Sequence, residues 1–347
     1  MVKMTKKKTV SSAKWFSLKQ HWYILASLLS FCFMIGMIIL VRIKEDNVMA
    51  KASALDLNSS HSIIRSGKSY LMYGTAWKKE RTANLVSQAV KSGFRFIDTA
   101  CQPKHYNEFG VGEGWTTAAK DIGLSRSDIF LQTKFTPITG QDPNNIPYDK
   151  GSTLEDQVKQ SLKKSLTNLR TSYIDSLVLH SPLETDKDTM RVWRIFESFV
   201  DTGEVKQIGI SNCYSLQRFT HIYEQARIKP SVLQNRFYSA SGFDTELRKF
   251  CKSKNISYQS FWTLTGNREA LADSYIIEMA TRKGLTAQTL MYAFMLEQGH
   301  TPLSGSTNLQ HVVEDVALMK RFHSGERLFT AEELDMMAVI IGAPLLD

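Results

Sequence analysis

Residues 93–115 read GFRFIDTACQPKHYNEFGVGEGW. An apolar run stops at Asp98, and the loop behind it carries Cys101, Lys104, His105, Tyr106 and Glu108. A short apolar run without polar alternation marks a strand buried on both faces. Ionisable groups placed straight after such a strand mark a site at its carboxyl end. The arrangement recurs along the chain, with candidate strands at 69–74, 94–98, 129–134, 173–180, 206–211, 231–235, 256–262 and 301–306. Helical patterns lie between them. Residues 81–93 set Leu85, Val86 and Val90 on one side and end in Gly93; residues 153–169 open at Thr153 with Glu155 and Asp156 in the first turn, a favourable start. Eight strands alternating with helices predict a (β/α)8 TIM barrel of the α/β class. A doubly wound nucleotide-binding sheet is the competitor. No G-x-G-x-x-G follows the first strand, and Gly110-Val111-Gly112-Glu113-Gly114 is too short and wrongly placed to serve.

In a barrel the carboxyl ends of all strands meet at one mouth. Asp98, Lys134, His180, Ser211-Asn212 and Gln234-Asn235 each sit at or just past such an end. One polar strand end is ordinarily a satisfied structural group. Five sets on successive strands point to a shared site.

Ahead of the barrel the composition changes. The formal net charge is +9, yet residues 1–44 hold eight Lys or Arg and no acid, leaving 35 basic against 34 acidic groups in the remainder. A nearly neutral body argues against a nucleic-acid binder, whose basic groups belong on the folded domain. Residues 22–41, WYILASLLSFCFMIGMIILV, pass without a charge and are long enough as a helix to cross a bilayer. Trp22 and Tyr23 suit an interfacial anchor. The chain therefore divides into a basic tail (1–21), a single membrane span (22–41), a linker or stalk (42–65) and a barrel domain (66–347). Six Lys precede the span, so the positive-inside bias expects a cytoplasmic N-terminus and a lumenal barrel. Cys32 is inside the span, and Cys101, Cys213 and Cys251 show neither a disulfide framework nor metal-ligand spacing.

From about Tyr70 to Met337 the chain resembles the aldo-keto reductase superfamily, nicotinamide-dependent (β/α)8 barrels. The resemblance rests on GFRFIDTA (93–100), the YNE segment at 106–108, SLKKSLTNLRTSYIDSLVLHSP (161–182), GEVKQIGISN (203–212), SVLQNRF (231–237) and PLSGSTN (302–308). It implies a membrane-anchored oxidoreductase that moves hydride between a nicotinamide cofactor and an aldehyde or ketone. The catalytic residues it implies are Asp98, Tyr106, Lys134 and His180. Tyr106 would be the proton donor, Lys134 would lower its pKa, Asp98 would hold Lys134 charged, and His180 would orient the carbonyl. The family places its Tyr five residues after the Asp, where this chain has Pro103; three extra residues bring Tyr106 to the matching Asn-Glu, with His105 as the fallback.

Cofactor contacts implied are Gly74, Thr75, Asp98, Ser211, Asn212, Gln234, Phe261, Trp262, Ser306, Thr307, Asn308, His311 and Asp315, and Trp77 would wall the substrate pocket beside His180. No metal is implied. NADPH is the expected cofactor. However, Gly305 and His311 stand where NADP-preferring members carry Lys and Arg, which makes NADH the alternative. A different class of reading is a nucleotide-binding pseudoenzyme that regulates or scaffolds a membrane partner; the complete tetrad speaks against lost chemistry.

Overall fold

The computed structural model of the chain describes residues 59–346. The stretch 22–41 read as a membrane span lies outside them; among the described residues no helix is long and apolar enough to cross a membrane. Eight strands, β1 (Met72–Gly74), β2 (Phe96–Asp98), β3 (Phe130–Phe135), β4 (Ile174–Leu179), β5 (Val205–Ser211), β6 (Val232–Arg236), β7 (Ser257–Phe261) and β8 (Thr301–Ser304), pair in parallel in that order. β8 returns to β1 through Met72–Leu303 and Tyr73–Ser304, which closes a barrel. Each strand falls within two or three residues of its expected place.

Strand alternation sorts side chains to two sides. Ile97 and Leu131 join the large cluster between strands and helices, whereas Met72, Phe96 and Phe130 form a separate cluster inside the barrel. The latter cluster closes the amino-terminal end. A helix Ser60–Ser66, in the stretch read as linker, adds Ile63 to it, 7% exposed. The barrel's packing thus reaches upstream of residue 66.

The outer helices begin where side chains can take up their first amides. Thr153 accepts from the Asp156 amide at the head of Leu154–Asn168, Thr185 from Asp188 before Asp186–Asp201, and Asn107 from Gly110 before Glu108–Ile122. The glycines at 110–114 have a packing reason. A Cβ on Gly112 would lie 2.0 Å from the Asn168 carbonyl oxygen, and one on Gly114 would lie 2.4 Å from that of Ala83. The helix Glu108–Ile122 lies flush against its neighbours because these positions have no side chain.

Gly112→Ala is therefore expected to destabilise the fold by about 1–3 kcal/mol or more, the cost of overpacking against rigid backbone. Gly123→Ala meets no neighbour within 4 Å, but its φ of +72° carries a smaller backbone strain of its own. Denaturant midpoints of the two variants should rank in that order.

Candidate active site

β2 and β3 lie side by side and deliver Asp98 and Lys134 to the barrel interior. The Lys134 Nζ donates to both Asp98 oxygens at 2.7 Å and to the Thr99 carbonyl at 2.8 Å. The two residues are 1% and 2% exposed, so each charge depends on the other. Around them is a layer of amides. Gln132 Nε2 donates to Asp98 Oδ1 (2.8 Å) and to Gln259 Oε1 (2.6 Å), and Gln234 Nε2 donates to the same two acceptors at 3.0 and 2.9 Å. Burial lowers the Lys134 pKa, a shift that Asp98 opposes.

Above this layer opens a cavity of about 780 Å³ at the carboxyl ends of the strands. Of the residues expected in the site, Gly74, Thr75, Trp77, Asp98, Tyr106, His180, Ser211, Asn212, Gln234, Phe261, Trp262, Ser306, His311 and Asp315 line it, as does the fallback His105. Lys134 lies beneath the wall rather than in it. Thr307 and Asn308 are not brought in: the Asn308 Oδ1 accepts from the Gln310 amide and caps the helix Leu309–His323.

The loop behind Asp98 is tied on several sides. The His105 carbonyl accepts from the Trp77 amide (2.7 Å) and Gln102 Nε2 donates to the Gly140 carbonyl (2.7 Å). Gln141 Nε2 donates to the Cys101 carbonyl (3.0 Å), and Asn107 Nδ2 to that of Lys79 (3.2 Å). These ties bring Tyr106, eight residues beyond Asp98, over Lys134, whose Nζ is 5.4 Å from the centre of its ring. The Tyr106 and His180 rings stand edge to face at 6.0 Å. Of the other ionisable groups in the loop, Glu108 faces the protein, where Thr133 and Asn168 donate to its carboxylate.

The expected lowering of the Tyr106 pKa is not what this geometry yields. Burial pushes the phenol upward and the Asp98 carboxylate adds to it. The physical reason is that Lys134 directs its charge and hydrogen bonds to Asp98 and Thr99. His180 is held neutral, its pKa brought down to about 3, first by burial and then by Lys134 and His105. Its Nδ1 is 2.6 Å from the Thr136 hydroxyl, a partner the sequence reading missed. Gln132 and Gln259 were missed as well; a polar residue inside an apolar strand, two before Lys134 or Phe261, was the available signal.

At the far end, Asp315 accepts from the Ser304 hydroxyl at 2.6 Å, and burial pushes its carboxyl up to about 7. Lys78 donates to the Gly305 carbonyl at 2.8 Å, and burial brings its ammonium down to about 8. Asn212 donates to the His180 carbonyl and to Ser211, and Ser211 to the Gln234 carbonyl, so these side chains are fixed in place. The donor set suits a dinucleotide: the Phe261 ring offers a flat apolar face, Gln234 Oε1 and Asn212 offer amide groups, and hydroxyls and His311 lie toward the acidic end.

Residues 67–267 match the Aldo/keto reductase family. An aldehyde reductase of Saccharomyces cerevisiae is 26% identical over 319 residues, covering 83% of this chain and 90% of its own length. A glyoxal reductase of Bacillus subtilis is 28% identical over 231 residues, 66% of this chain and 75% of its own. The crystal structure of an aldo/keto reductase from Brucella melitensis superposes with a TM-score of 0.63 at 24% identity, covering 78% of this chain and 94% of that one.

The sign of the pH dependence follows from His180. Its folded pKa of about 3 lies below the ordinary 6.5, so between those values the unfolded chain binds the extra proton and stability is lost as pH falls. Urea titrations from pH 7 to pH 4 should show a flatter decline for His180→Gln than for the natural chain. Parallel declines would show that His180 does not carry this linkage.

Proposed function

The chain belongs to the aldo/keto reductase family, and on that premise we propose that it reduces aldehydes or ketones with a nicotinamide dinucleotide, Tyr106 donating the proton. The reading is carried by one observation: Tyr106, His180 and the Lys134–Asp98 pair converge at one end of the cavity. The cofactor, when bound, supplies the hydride. Phe261 would back its ring and Asn212 and Gln234 would meet its amide, with Ser306 and His311 toward the adenosine end.

The remaining work falls to side chains. A carbonyl oxygen gaining negative charge needs a nearby acid, and the Tyr106 hydroxyl is neutral and protonated throughout the physiological range. Lys134 does not lower the resting pKa of the phenol; its ammonium stands 5.4 Å from the ring centre, and its charge would meet the phenolate once the proton has left. Asp98 keeps that cation in place. The 2.6 Å contact between the Thr136 hydroxyl and Nδ1 fixes the His180 ring. In the tautomer in which Thr136 donates, the His180 proton sits on Nε2, which can donate to the carbonyl oxygen and set its direction. A neutral imidazole orients without competing as the acid. NADPH is the first choice by family habit, and NADH is the alternative because Gly305 and His311 stand where NADP-preferring members carry Lys and Arg.

From the sequence of residues 1–44 we further propose that residues 22–41 anchor the chain in a membrane with the barrel on the lumenal side. Protease added to sealed microsomes should then spare the barrel until detergent is added; digestion without detergent would reverse the orientation.

Tyr106→Phe should lower kcat by about 100- to 10,000-fold, the range of a lost general acid, while leaving nucleotide affinity within about twofold. A rate close to that of the natural chain would remove Tyr106 as the donor.

A further inference from the structure

Arg236 ends β6 two residues beyond Gln234, so strand alternation carries its side chain up from the same inner face into the cavity it lines. Its register partner on β7 is Phe261. The guanidinium carbon stands 3.9 Å from the centre of the Trp262 ring, 5.3 Å from Tyr238 and 5.8 Å from Phe261. Aromatic faces attract a cation without taking its N–H hydrogens. Among the described residues none forms an ion pair or hydrogen bond with this guanidinium, and Nε is sealed from solvent unpartnered. Arg126, Arg191, Arg218, Arg227 and Arg321 each meet a carboxylate. Arg95 also leaves two nitrogens unpartnered, but it does not line the cavity and its third nitrogen donates to the Val90 and Phe94 carbonyls.

Two further features mark the position. Trp262, which supplies the nearest ring, has φ of +59° and is 48% exposed, so strained backbone holds an indole in the open against the guanidinium. The planar fork of an arginine fits the oxygens of phosphate or carboxylate, often two at a time.

We propose that Arg236 is an anion-binding residue of this cavity, held ready by Trp262 and Tyr238 and completed by oxygens of the ligand. It lines the same cavity as the Phe261 ring, 5.8 Å away, and as Gly305 and Ser306, so the diphosphate bridge of a dinucleotide lying in that cavity is the source the geometry favours. A carboxylate on the carbonyl substrate is the other source of the same chemistry. The inference rests on the dinucleotide reading of the cavity, but its test separates the two.

The experiment follows tryptophan fluorescence quenching of the full chain, Arg236→Met and Arg236→Lys during titration with NADPH, NADH and phosphate-free dihydronicotinamide riboside. Thermal melts confirm that each variant is folded. Arg236→Met should weaken both dinucleotides by about ten- to a hundredfold, the range of a lost charged hydrogen bond. It should leave the riboside unchanged, and Arg236→Lys should recover part of the loss. In parallel, KM is compared for a neutral aldehyde and one bearing a carboxylate. A rise confined to the acidic aldehyde, with dinucleotide affinity intact, assigns the anion to the substrate. Unchanged Kd and unchanged KM for both aldehydes overturn the proposal. If the natural chain binds neither dinucleotide, the cofactor reading itself fails, whatever Arg236 does.

Discussion

A lysine and an aspartate that share almost no contact with solvent must satisfy each other, and the interior of this barrel is arranged around that requirement. Asp98 accepts two bonds from Lys134 and one each from Gln132 and Gln234, while Gln259 accepts from both glutamines. β2, β3, β6 and β7 are thereby joined across the barrel axis and not only along their edges. Removing one member of a buried ion pair typically costs about 3–5 kcal/mol, because the charge left behind has no water to turn to. The apolar layer of Met72, Phe96 and Phe130 below and the cavity above leave this polar tier as the floor of the site.

That floor explains the division of labour above it. Lys134 is committed to Asp98, so its influence on Tyr106 is through space, from 5.4 Å below the ring centre. His180 is neutral by burial and by its cationic neighbours, and Thr136 holds its Nδ1. The apolar wall of Phe261 and Trp262 and the hydroxyls toward Ser306 complete a groove with Tyr106 and His180 at one end and Asp315, against Ser304, at the other.

Much of this was legible in the residues. Apolar runs ending in polar groups located all eight strands, because a strand buried on both faces leaves no freedom for polar alternation. Asp98, Lys134 and His180 were readable as strand ends, and Tyr106, singled out because Asn107 and Glu108 follow it, lines the same cavity. What escaped the reading depends on contacts between distant segments. Thr136 matters only because β4 sets His180 beside it, and Arg236 looks ordinary until Trp262 and Tyr238 enclose it. The glycines of 110–114 resembled a phosphate loop in composition, but the reason for Gly112 and Gly114 is the carbonyls of Asn168 and Ala83, which no local pattern displays. The helix Ser60–Ser66 lies in a small, polar stretch, and only the burial of Ile63 reveals why it joins the barrel.

The loop that carries Tyr106 is knotted into its surroundings by the carbonyls of Cys101 and His105 and the side chains of Gln102 and Asn107, which reach the loops after β1 and β3. Losing one residue between Asp98 and Tyr106 would slip several of these ties at once and carry the hydroxyl away from His180. The length of chain between Asp98 and Tyr106 is therefore set by several ties at once. Mechanically, the loops after β1, β2 and β3 are one piece, and a change in any of them is passed to the ring of Tyr106.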